Sequence, residues 1–105
     1  MSPQAQTSPW IELGNTNDVK DGVYFVGSDE IWVTTVEDKR TVVSNICPHK
    51  MGPLSQGETQ GHLVRCPWHG YWFDMVTGNC TPALHLRRYE LKEESGKLYV
   101  RLLPQ

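Results

Sequence analysis

Alanine is scarce in this chain. Only Ala5 and Ala83 occur in 105 residues, against ten valines, three isoleucines and eight threonines. β-Branched side chains lose rotamer freedom in helices and pack well on pleated surfaces, so this balance predicts an all-β chain. Long apolar runs are missing too: none exceeds four residues, far below the ~20 that span a bilayer. Nor is there a basic excess. Ten Lys and Arg face twelve Asp and Glu, a net charge of −2, whereas nucleic-acid binding ordinarily shows a basic stripe. Residues 1–9 lack the basic and apolar regions of a signal peptide and read as a flexible polar leader, and the chain as cytoplasmic. Cysteines are few and odd in number (Cys47, Cys66, Cys80), a poor disulfide framework. No G-x-G-x-x-G follows a predicted strand, which argues against a dinucleotide fold.

What is present reads as short strands at near-regular spacing. Alternation or β-branched runs predict strands over 10–13, 22–26, 30–36 and 41–46, with turns at 27–29 and 38–40. Two more follow at 88–92 and 97–101 around Ser95-Gly96. Between them, residues 47–82 hold four of the seven prolines, all three cysteines and three of the four histidines. Only 62–65 and 71–74 read as strands there. The expectation is one domain over 10–105: an antiparallel β-sandwich or barrel base from both ends of the chain, carrying a smaller loop subdomain at about 45–82.

Chemistry concentrates in Cys47-Pro48-His49 and Cys66-Pro67-Trp68-His69, written C-x-H, sixteen residues, C-x-x-H. Each motif follows a predicted strand, proline fixes a backbone angle within it, and Gly52 and Gly70 permit tight turns. Two thiols and two imidazoles on facing loops suit a tetrahedral zinc or an iron–sulfur centre with mixed ligands. Zinc knuckles more often supply like pairs of ligands. One sulfur and one nitrogen per loop suits a binuclear centre whose irons take two cysteines and two histidines respectively.

The segment from Cys47 through Pro53-Leu54-Ser55, then Cys66 through Gly70-Tyr71-Trp72-Phe73-Asp74 and Thr77-Gly78, resembles a Rieske [2Fe–2S] domain. The resemblance implies one [2Fe–2S] cluster, with Cys47 and Cys66 on one iron and His49 and His69 on the other. High-potential members carry a disulfide between the two loops; here Gly52 and Trp68 stand at those positions. Their serine and tyrosine hydroxyl donors to the cluster fall at Tyr71 and Phe73. Phe73 cannot donate, which implies the negative half of a family range of about −150 to +300 mV. The second imidazole nitrogens imply a midpoint that falls at alkaline pH.

The resemblance further implies a Rieske-type ferredoxin, an electron-transfer component with no catalytic residues. It would be a monomer that meets its partners transiently, an NAD(P)H-dependent flavoprotein reductase and a terminal oxygenase, with no nucleic acid and no membrane. At 105 residues the chain is expected to be too short to hold a mononuclear iron domain as well. The alternatives are a small Rieske-type subunit of an assimilatory nitrite reductase and a structural zinc module. Trp68 and Trp72 are expected as apolar walls over the cluster, and Pro53 and Leu54 as a shield from water. Asp74 and Thr77-Gly78 are expected to hold the second loop, Lys50 to be solvated, His62 and His85 to be surface or strand histidines, and Cys80 to be a bystander.

Overall fold

The computed structural model describes residues 9–48, 51–68, 70–80 and 84–103; of the expected leader only Pro9 falls among them. In chain order it forms β1 (Ile11–Asn15), β2 (Gly22–Val26), β3 (Asp29–Val36) and β4 (Lys39–Ser44). A single 3-10 turn, Leu54–Gln56, precedes β5 (Glu58–Gln60), β6 (Leu63–Arg65), β7 (Trp72–Asp74), β8 (Asn79–Cys80) and β9 (Leu84–His85). The chain closes with β10 (Arg88–Glu94) and β11 (Lys97–Leu102). Among the described residues there is no α-helix, as the scarcity of alanine predicts.

Two antiparallel sheets result. The larger runs β1-β11-β10-β4-β3-β2 and joins both ends of the chain, while the smaller runs β5-β6-β7-β8-β9. Strands β3 and β4 serve two cores at once. Ile31, Val33 and Val42 enter a cluster with Val26, Tyr89 and Val100, inside the larger sheet. Trp32, Val36 and Val43 enter a second cluster with Val64, Phe73, Met75 and Leu86, toward the smaller sheet. Successive side chains point to opposite faces of a strand, so a strand buried on both faces reads as the continuous run Ile31-Trp32-Val33. Trp10 anchors the start of β1, with Lys92 Nζ 4.5 Å and Arg101 Cζ 4.1 Å from its ring centroid.

The β3–β4 turn differs from expectation. It consists of Glu37 and Asp38, both left-handed (φ 50° and 70°), while Lys39 and Arg40 already pair with Val36 and Thr35. Two consecutive left-handed residues match the twist of a two-residue hairpin, and the charged pair gave little sign of it. Strands β5, β8 and β9 were also not expected. At two or three residues each they are too short to show a period.

The β4–β10 ladder holds two pairs, Arg88↔Val43 and Tyr89↔Val42. The ladder does not extend beyond them. Ser44 N–H donates to Arg87 O (2.9 Å) just before the ladder, Leu86 N–H donates to Gly78 O (2.8 Å) beside β8 and β9, and Arg88 Nη1 links β10 to Val76 O (2.8 Å) in the turn after β7.

Candidate metal centre

The two cysteine motifs build the same loop twice. In the first, Cys47 N–H donates to Gly52 O (2.9 Å) and Met51 N–H donates to Cys47 O (2.7 Å). In the second, Cys66 N–H donates to Tyr71 O (2.8 Å) and Gly70 N–H donates to Cys66 O (2.9 Å). The fifth loop position is left-handed in both, at Met51 (φ 66°) and Gly70 (φ 75°). The Ile46↔Pro53 bridge closes the base of one loop, and the Arg65↔Trp72 pair closes the other. Proline stands second in each, where neither closing bond needs an N–H from it.

Both loops turn their cysteine inward. Cys47 and Cys66 are 0% and 1% exposed and share one apolar cluster with Leu54, Val64 and Phe73. The loops also touch. A Cβ on Gly52 would lie 3.1 Å from Cys66 Sγ and 3.1 Å from the Trp68 ring. All three cysteines are thiols rather than disulfides. Cys80, on β8, packs against the same cluster. Burial first, and then the neighbouring Cys47 sulfur, push its thiol pKa up, so it stays protonated and apolar in character.

Two buried thiols on facing, separately closed loops form a donor set that fits a thiolate-ligated iron–sulfur group. His49, Lys50 and His69 lie outside the described residues. Among the described residues no three Cys, His, Asp or Glu side chains gather as a metal site.

Neighbouring residues set these loops in place. Leu54 is fully buried beside the cysteines, while Pro53 is half-buried at the base of the first loop. Trp68 lies over Gly52 and remains 61% exposed. Trp72 is half-buried, with the Arg65 guanidinium 6.0 Å from its ring. Asp74 Oδ1 accepts Val76 N–H (2.8 Å) and Thr77 N–H (3.1 Å), which shapes the turn after β7. Burial alone would raise the Asp74 pKa, but those two N–H groups and His62 Nδ1, at 3.1 Å, bring it below its ordinary value. His85 lies in β9.

Sequence reasoning missed Asn45. This side chain is 2% exposed; its Nδ2 donates to Glu30 Oε2 and its Oδ1 accepts Ser55 N–H at 2.7 Å. Its backbone adds Asn45 N–H to Glu30 O (2.9 Å) and Leu54 N–H to Asn45 O (2.8 Å). Asn45 thus ties the far end of the first loop to β3. The one hint was a polar residue ending a β-branched run beside Cys47. Gly57 was missed as well: a Cβ there would lie 1.9 Å from Arg65 O.

Comparison with known proteins gives a consistent result. The family model described as "Rieske [2Fe-2S] domain" matches residues 9–97. Ferredoxin CarAc of Metapseudomonas resinovorans is 31% identical over 100 residues, covering 87% of this chain and 92% of that one. The ferredoxin component of the naphthalene 1,2-dioxygenase/salicylate 5-hydroxylase systems of Ralstonia sp is 28% identical, covering 91% and 98%. Among solved structures, a chain in the complex of reduced oxygenase and oxidized ferredoxin in carbazole 1,9a-dioxygenase superposes with a TM-score of 0.70. It is 28% identical, and the match covers 88% of this chain and 92% of that one.

Proposed function

The chain belongs to the Rieske [2Fe–2S] domain family, and on that footing we propose that it is a soluble, monomeric, cytoplasmic one-electron carrier. It takes electrons from a flavin- and nicotinamide-dependent reductase and delivers them to a terminal oxygenase. Its cofactor is one Rieske-type [2Fe–2S] cluster, which when bound accepts and releases a single electron. In this reading Cys47 and Cys66 hold one iron, and His49 and His69 hold the other. The observation that carries it is the pair of like-closed loops that brings the two sulfurs into one buried cluster.

The surrounding residues suit a carrier. Leu54, Val64 and Phe73 keep water from the sulfurs. Met51 and Trp68, 70% and 61% exposed, form an apolar rim on the loops against which a partner surface can settle. Relatives named as ferredoxin components of dioxygenase systems support an oxygenase as the acceptor. They do not favour the nitrite reductase subunit. Among the described residues no helix is long and apolar enough to cross a membrane.

Anaerobic mixing of the purified protein with NADH and a flavoprotein reductase tests the proposal, followed by addition of an oxygenase and its substrate together with dioxygen. The expected result is one electron taken up per chain and oxygenase turnover that depends on the chain. Failure to accept an electron, or substrate oxidation by the chain alone, would overturn it.

A further inference from the structure

Beside the short β4–β10 ladder, a cleft of about 430 Å³ opens between the larger sheet and the turn after β7. Met75, Leu91 and Leu103 give it apolar walls. Lys39, Arg40 and Arg88 line it as well, and Glu37 is the one carboxylate among the described lining residues. None of these three cations has an ion-pair partner among the described residues.

Arg88 is the most constrained of the three. Its Nη1 is committed to Val76 O at 2.8 Å, and its Nε is buried with no partner among the described residues. A partly desolvated guanidinium with a stranded donor is unfavourable until an opposite charge approaches it. Negative charge in the cleft would supply that, in surroundings of lower dielectric than bulk water.

We propose that this cleft binds a small amphipathic carboxylate. Lys39, Arg40 and Arg88 take the head group, and Met75, Leu91 and Leu103 pack the apolar body. The two halves of the lining select together. A bare inorganic anion leaves the apolar walls wet, and a neutral apolar ligand leaves the guanidinium uncompensated. Arginine suits a carboxylate because its planar donors match the two oxygens. The site uses none of the residues of the cysteine loops and does not depend on the electron-carrier reading.

Calorimetric titration of the cluster-loaded chain tests this with three probes: benzoate, the isosteric but uncharged benzamide, and acetate, which has the head without the body. The expected result is saturable binding of one benzoate per chain, with benzamide and acetate each about tenfold weaker, the loss of one charge-assisted contact or of the apolar one. The double variant Lys39→Gln/Arg40→Gln changes two exposed side chains and leaves the Arg88 bridge intact, so it retains the fold; it should weaken benzoate by a similar factor. No saturable benzoate binding, equal binding of benzoate and benzamide, equal binding of benzoate and acetate, or an unaffected double variant would each overturn the proposal.

Discussion

The indole of Trp68 lies against the α-carbon of Gly52, so closely that a Cβ on Gly52 would meet the ring at 3.1 Å. These are the two positions at which high-potential relatives are expected to carry cysteines. Here a ring stacked on a glycine joins the loops instead. Gly52→Ala forces the indole or the Cys66 sulfur to shift, an overpacking cost of about 1–3 kcal/mol. Thermal melts should show a fall of several degrees, and cluster absorbance should decay severalfold faster on dilution into chelator. Trp68→Ala should speed decay likewise, by opening the rim to water.

Asn45 couples the first loop to β3 through bonds at both ends of its amide. Asn45→Leu keeps the bulk but removes the partner of the half-buried Ser55 N–H and Glu30 carboxylate, a loss of about 1 kcal/mol for each bond. The urea midpoint should fall accordingly, and cluster loss should accelerate. Unchanged stability would show that the tether is dispensable.

Equivalence of the loops makes a paired prediction at their fifth positions. Met51 holds a left-handed conformation that costs a non-glycine residue about 1–2 kcal/mol, whereas Gly70 holds it without penalty. Met51→Gly should therefore leave stability level or raise it slightly, because the flexibility of glycine in the unfolded chain offsets part of the gain. Gly70→Ala should lower it, since strain adds to a contact 3.0 Å from Arg65 Nη2. Denaturant curves of the two variants compare them directly.

Tyr89 supplies the pH dependence. Burial, and then the Asp29 carboxylate that accepts its hydroxyl at 3.2 Å, push its pKa up to about 12 despite the nearby Arg87 guanidinium. The folded state thus holds this proton more tightly than the unfolded state, whose tyrosine ionises near the ordinary value of about 10. Its contribution is complete below about pH 10 and is lost as the pH rises toward 12. Ultraviolet titration should show one late-ionising phenol that disappears in Tyr89→Phe. The variant should also lose stability less steeply over that window.

Much of the site is legible because its chemistry is short-range. Cys47, Cys66, their prolines and the glycines beside them fall within two brief stretches, and close spacing is what two tight loops require. Long strands were equally readable, because apolar side chains fill β2 and a polar–apolar pattern runs through β11, each over five residues or more. What escaped depends on distant partners. Nothing local marks Asn45 as the residue that Glu30 and Ser55 will meet. Gly57 is required by a carbonyl eight residues away, at Arg65. The short strands β5, β8 and β9 exist only because neighbours supply their ladders.

Spectroelectrochemical titration of the intact protein from pH 7 to pH 10 is the decisive measurement of one-electron transfer at a histidine-ligated cluster, because it reads both the electron count and the histidine ligation. A one-electron midpoint in the negative half of a range of about −150 to +300 mV is the predicted result, since Phe73 offers no hydroxyl donor. The midpoint should fall with rising pH as the histidine nitrogens titrate. A midpoint above about +100 mV, or a profile flat to pH 10, would contradict the account.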